Sequence, residues 1–199
     1  KTLEFLGWCD ELGIKVVTLY LLSTENLKGR AGGELKELQD IIGQLADDLA
    51  THGNWKLQLV GDRASLPQDL ADSIADAEQR TAQIGGMHVN LAVGYGGRKE
   101  IADAMRSILK EHSSQGTSID ALAELLDPDL ITKHLYTSGQ PDPDLIIRTS
   151  GEQRLSGFLL WQSAQSEFYF EEALWPDFRR VDFLRAIRAF ESRHRRFGA

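Results

Sequence analysis

The run Ile14-Lys15-Val16-Val17-Thr18-Leu19-Tyr20-Leu21-Leu22 most constrains what this chain can become. It is β-branched and apolar almost throughout, which marks it as a central strand of a parallel sheet. Helical periods lie on either side of it. Ahead, residues 2–12 space Leu3, Phe5, Leu6, Trp8, Cys9 and Leu12 at near-helical intervals, and Gly13 closes the helix. Behind, residues 34–49 repeat Leu35, Leu38, Ile41, Ile42, Leu45 and Leu49 at the helical period, after a glycine-rich link over 28–33. The alternation continues. Strands are predicted over 55–60 and 87–93, each followed by a helix, over 68–82 and from 99 to about 109. A polar link over 113–118 leads to a short helix over 120–126, and Pro128 suits the first turn of another. Short strands over 145–147 and 168–170 precede a final helix over 181–195, whose apolar face is Phe183, Leu184, Ile187 and Phe190. Strands alternating with helices specify an α/β fold: a mainly parallel central sheet flanked by helices on both faces.

At 199 residues the chain suits a single domain, 1–199, able to bury roughly 70% of its unfolded surface. A formal net charge of −8 argues against nucleic acid as a partner, since that needs a basic face. The charge is nevertheless uneven: every Lys or Arg beyond Lys133 is an arginine. The planar guanidinium fork grips phosphate bidentately, so a local anion site is compatible with an acidic protein. One cysteine, Cys9, excludes a disulfide framework and fits a reducing, cytoplasmic setting. Its place on an apolar helix face suits a packed thiol rather than a nucleophile. No apolar run approaches the ~20 residues that span a bilayer. The chain opens inside an amphipathic helix with no initiator Met, as if truncated at its N-terminus.

Strand ends supply the candidate chemistry, because ligands in open α/β sheets bind outside the carboxyl ends of the strands. Three such ends can share a rim: Ser23–Asn26, Gly94–Arg98 and Arg148–Ser156. The third is the richest. Arg148, Thr149, Ser150, Gly151, Arg154, Ser156 and Gly157 place two guanidiniums, hydroxyls and glycine-exposed amides within a short turn, as an anionic oxygen cluster requires. The same loop could instead be self-paired, its arginines bound to Glu152 and Asp144, and both readings stand on the loop alone. Walker-type and dinucleotide fingerprints are absent, and Gly94-Tyr95-Gly96-Gly97 is too short and wrongly placed to be one. The five histidines show no metal-ligand spacing.

In combination the segments are far more specific. Ser23-Thr24-Glu25-Asn26, Asn90-Leu91-Ala92-Val93-Gly94-Tyr95-Gly96-Gly97-Arg98 and Asp144-Leu145-Ile146-Ile147-Arg148-Thr149-Ser150-Gly151-Glu152-Gln153-Arg154-Leu155-Ser156 occur in that order. The run from Phe158 to Glu167, Trp175-Pro176-Asp177-Phe178 and Arg196-Phe197-Gly198 follow. This arrangement resembles the cis-prenyltransferases, the Z-isoprenyl diphosphate synthases that include undecaprenyl diphosphate synthase, along essentially the whole chain.

The resemblance implies Mg²⁺-dependent transfer of an allylic prenyl group onto isopentenyl diphosphate with formation of a cis double bond. Arg148, Arg154, Leu155 and Ser156 would hold isopentenyl diphosphate, and Glu167 would ligate Mg²⁺. Asn26 would assist proton removal, and Ser23, Thr24, Glu25, Leu27 and Arg30 would line the substrates. Arg196 and Gly198 match a C-terminal Arg-x-Gly that helps close the site across a dimer interface, so a homodimer is expected. Peripheral membrane contact through the lipid product is a further expectation. The residues alone also allow Glu167 as an arginine's ion-pair partner, Asn26 as a turn cap and Glu25 as a solvated side chain. The terminal arginines could be a helix end favoured by its dipole.

Three departures from the family pattern carry expectations. The family's first strand ends in Asp-Gly-Asn-x-Arg-Trp, whose aspartate anchors the metal; nothing here matches it. The resemblance therefore implies a sheet lacking its first strand, and a 1–199 polypeptide without the turnover of its parent. Leu21-Leu22-Ser23-Thr24-Glu25-Asn26-Leu27 stands where long-chain members read Ala-Phe-Ser-x-Glu-Asn-Trp. Leu21 would shorten the product tunnel, and this run, with Tyr136 to Asp144, resembles the Z,E-farnesyl diphosphate synthases. Arg30 follows Leu27 by three residues where the family spacing is two. A long-chain synthase, a non-catalytic accessory subunit of the same fold and an unrelated phosphate-binding module are the alternatives.

Overall fold

The computed structural model describes residues 1–29 and 32–193. Two compact units emerge, one over Gly13–Gln140 and one combining Lys1–Leu12 with the chain from Pro141 onward. In the first, a parallel sheet runs in the order β1 (Val16–Ser23), β3 (His88–Tyr95), β2 (Lys56–Val60). The middle strand is buried at every position from Val89 to Tyr95, so both of its faces are covered, as its apolar content requires. Helices α2 (Thr24–Gly29), α3 (Gly32–His52), α4 (Gln68–Thr81), α5 (Gly97–Ser114), α6 (Ile119–Leu125) and α7 (Pro128–Lys133) accompany it. Of the apolar positions expected on α3, Ile42 and Leu49 are buried, joined by Ala46, whereas Ile41 is exposed; on α4, Leu70, Ile74 and Ala77 are buried at helical spacing.

The free edge of β2 is managed by α4. The Leu57 amide donates to Thr81 Oγ1 (3.0 Å) and the Leu59 amide to Glu78 Oε1 (2.6 Å), so helix side chains satisfy donors that a bare edge would leave open. Across the sheet, Thr18, Asn90 and Gln58 stand in register on the three strands. Gln140 ties this polar row together, bonding Asn90 (2.6 and 3.0 Å) and Gln58 (3.0 Å), while Asn90 also donates to Thr18 (3.1 Å).

The second unit holds α1 (Thr2–Glu11), the parallel pair β4 (Leu145–Arg148) and β5 (Glu167–Phe170), and α8 (Arg180–Glu191). Its core is aromatic. Phe5 meets Trp175 and Phe183 edge-on at 5.2 and 5.3 Å, Trp8 stacks on Phe183 at 6.3 Å, and Phe178 is fully buried. These contacts explain why the first helix belongs with the C-terminal part of the chain.

Three local details are added or changed. The polar cluster after β1, to which no element was assigned, forms a helix, α2, and α3 starts at Gly32 rather than after a six-residue link. The third is α5, which starts at Gly97, directly on the glycine turn. Among the described residues, no helix is long and apolar enough to cross a membrane.

Candidate active site

In the first unit the ends of β1 and β3 lie side by side, and the register between them is irregular. Tyr20 pairs with Ala92 and Leu22 with Val93, which leaves Leu21 as an extra, unpaired residue: a β-bulge. Burial accordingly passes from Val17 and Leu19 to Leu22, and Leu21 is half-buried beside it. Ser23 then caps the next helix. Its Oγ accepts from the Asn26 amide at 3.0 Å, the local bond by which a serine starts a helix, so Ser23 and not Asn26 is the cap. Thr24 Oγ1 donates to Glu25 (3.2 Å), Leu27 is half-buried, and Glu25 and Asn26 face solvent. Gly96 lets this helix start approach the β3–α5 turn, since a Cβ there would lie 2.5 Å from Thr24 Oγ1.

Glu100, which motif reasoning passed over, anchors that turn. It is buried, and it accepts from Tyr95 Oη at the end of β3 (2.5 Å) and from the Tyr136 amide (2.9 Å). Tyr136 Oη in turn donates to Asp103, which Lys99 also contacts at 2.6 Å. The available signal was a charged residue on the face of α5 that the periodicity buries.

In the second unit, β4 ends at Arg148 in the predicted loop. Ser150, Gly151, Ser156 and Gly157 all adopt left-handed backbone conformations (φ 80°, 72°, 49° and 77°). For the two serines that geometry is sterically costly, which marks a loop held to one shape by its surroundings. The hold is visible: the Ser150 and Gly151 amides donate to the Ala173 and Glu171 carbonyls (both 2.9 Å), and the Glu171 amide donates to the Arg148 carbonyl (2.8 Å). Folded this way, Arg148 reaches Ser156 Oγ at 2.8 Å and Arg154 Nε reaches the same oxygen at 3.3 Å. Arg148 also donates to the Arg154 carbonyl and to Glu152, and Arg154 Nη2 donates to Glu152 at 2.8 Å. Leu155, in the same loop, is half-buried. Arg148, Arg154 and Ser156 are therefore brought together as a cluster, with Glu152 as the counter-ion.

Glu167 sits elsewhere on the ladder. It opens β5 opposite Leu145, three positions from the Arg148 level, or about 10 Å at the usual strand rise. Its Oε2 accepts from Arg193 at 3.0 Å, and Arg193 also donates to the Phe168 carbonyl at 3.3 Å. Arg30, Arg196 and Gly198 lie outside the described residues. Among the described residues no three His, Cys, Asp or Glu side chains gather as a metal-binding group. A lone half-buried glutamate still fits one metal, Mg²⁺, which takes one or two carboxylates and completes its shell with water and substrate phosphates.

A family model described as putative undecaprenyl diphosphate synthase matches residues 1–198, running without a break through both units. This chain belongs to the cis-prenyltransferases. Isoprenyl transferase 1 of Streptomyces avermitilis is 56% identical to it over 198 residues, 100% of this chain and 77% of that protein. The (2Z,6E)-farnesyl diphosphate synthase of Mycolicibacterium smegmatis is 52% identical over 200 residues, 100% of this chain and 76% of that one. Among solved structures, lavandulyl diphosphate synthase from Lavandula x intermedia, in complex with dimethylallyl diphosphate, superposes with a TM-score of 0.89 at 36% identity. That match covers 98% of this chain and 83% of the other. The α/β architecture expected from strand–helix alternation is thus the fold of this cis-prenyltransferase, and its chemistry is prenyl transfer.

Proposed function

We propose that this cis-prenyltransferase condenses isopentenyl diphosphate with an allylic diphosphate in a Mg²⁺-dependent reaction, giving a short Z-prenyl diphosphate of farnesyl length. The observation that carries the reading is the cluster of Arg148, Arg154 and Ser156, two cationic forks and a hydroxyl held within hydrogen-bond reach of one another. A diphosphate presents several anionic oxygens, and charge-assisted bonds from two guanidiniums hold and orient it better than ammonium groups would. Asn26, exposed at the start of α2, is proposed to accept a hydrogen bond during proton loss, with Ser23, Thr24, Glu25 and Leu27 flanking the substrates. Glu167 is proposed to hold Mg²⁺, which would supply Lewis-acid stabilisation of the diphosphate charge.

The farnesyl length is supported by Leu21 at the bulge and by the similarity to a (2Z,6E)-farnesyl diphosphate synthase. A cytoplasmic homodimer is part of the proposal. Exposed apolar side chains of Phe170, Leu174, Val181 and Leu184 on the second unit support self-association.

The test is incorporation of labelled isopentenyl diphosphate by the full-length parent protein with and without Mg²⁺, compared with the same protein carrying Arg148→Ala. Losing one or two charge-assisted bonds, at ~1.5–3 kcal/mol each, should lower kcat/KM by about 10- to 10,000-fold. Unchanged incorporation in the variant would remove the arginine cluster from the reaction.

A further inference from the structure

We propose that Glu152 is the internal counter-anion of the arginine loop, occupying both guanidiniums until a diphosphate displaces it and thereby setting the affinity of the site. This rests on the reading of the loop as the isopentenyl diphosphate site and assigns a function to a residue that the reading leaves idle.

Both carboxylate oxygens of Glu152 are engaged, Oε1 by Arg154 Nη2 at 2.8 Å and Oε2 by Arg148 Nη2. One anion spanning two guanidiniums is what a diphosphate would be, with two oxygens taken by the same N–H groups. The Arg148 side chain shows why the two occupants compete. Its Nη1 is committed to Ser156 Oγ and the Arg154 carbonyl, so of its two terminal amino groups the one left for a ligand is the one Glu152 holds.

The carboxylate is placed by the backbone yet free to leave. The left-handed residues Ser150 and Gly151, pinned to the 171–173 segment, deliver Glu152 to this position. Its side chain is 40% exposed and that of Arg154 66%, so a side-chain rotation into solvent would release it without moving the loop. Charge decides the direction of exchange. A carboxylate carries one negative charge and a diphosphate several, so the ligand wins at the two cations. In its absence, Glu152 offsets the mutual repulsion of two neighbouring guanidiniums and keeps their forks in place.

A competitor lowers affinity by the strength of the bonds it must give up. Two partly exposed ion pairs are individually weak, and together they should weaken diphosphate binding about fivefold. The experiment is calorimetric titration of the full chain with inorganic diphosphate, for the protein and for Glu152→Gln, each with and without Arg148→Ala. Glu152→Gln should bind about fivefold more tightly, and Arg148→Ala should weaken binding in both backgrounds. A merely structural glutamate would shift affinity the other way. Glu152→Gln binding equally or more weakly, with Arg148 still required, overturns the counter-anion role and leaves the site assignment intact. Binding indifferent to Arg148→Ala overturns the site assignment and this inference with it.

Discussion

Glu100→Ala should destabilise the protein by about 3 kcal/mol, while Glu100→Gln should cost about 1 kcal/mol. Glu100 is 1% exposed, and the two donors it satisfies lie on either side of it in the chain, Tyr95 Oη 5 positions before and the Tyr136 amide 36 positions after. Alanine leaves both donors without this acceptor, at ~1–3 kcal/mol each when buried. Loss of an apolar methylene contact adds ~0.8 kcal/mol. Against this, a long side chain no longer has to be ordered, which returns ~1–1.5 kcal/mol. Glutamine keeps a carbonyl for the Tyr136 amide and offers an N–H to the Tyr95 hydroxyl, which can turn to accept it. The assay is urea denaturation at constant m-value, so that the change is read as stability rather than as altered compactness. Alanine within ~0.5 kcal/mol of the parent would refute the argument, because exposed substitutions already span that range. Glutamine as costly as alanine would also refute it, since charge rather than hydrogen-bond acceptance would then matter.

Leu21→Ala in the full-length parent protein should shift labelled products toward longer chains, because the bulge leaves this side chain half-buried at the end of β1; an unchanged product distribution would sink the tunnel-floor role. Asp182 carries an acid-limb prediction. Hydrogen bonding from Arg179 holds its carboxyl below the ordinary value of 3.8, against the opposing effect of burial. The unfolded chain then binds that proton first, so the contribution is present above pH 3.8 and lost as pH falls through the folded value, and Asp182→Asn should flatten acid denaturation. Cys9 behaves in the opposite sense. Burial, with a smaller push from Asp10, raises its thiol from 9.0 to about 12, so its contribution is present below pH 9 and lost between pH 9 and about 12. Thiol labelling at pH 8 should be slow in the native protein and fast in denaturant.

Much of the architecture was legible because local geometry leaves a periodic trace. The β-branched run from Ile14 placed β1, the leucine spacing from Leu35 placed α3, and the aromatic run at Phe168 placed β5, each to within a few residues. The arginine loop was legible too, since its residues are neighbours in the chain and its glycines announce the turn. Boundaries failed where short-range hydrogen bonds decide them. Ser23 caps the next turn and makes the polar cluster after β1 into α2, a choice that composition does not record.

The tertiary structure alone decided which residues meet. Sequence order puts β2 after β1, yet β3 lies between them, and only that pairing exposes the Leu21 bulge and aligns Thr18, Asn90 and Gln58. Glu152, considered from the start as a partner for the loop arginines, holds both guanidiniums, while Glu167 meets Arg193 from 26 residues away. Glu100 likewise finds its second donor in Tyr136. Periodicity encodes which face of an element is buried. The partner of a given polar atom depends on strand register and on segments far apart in the chain, which no local pattern contains.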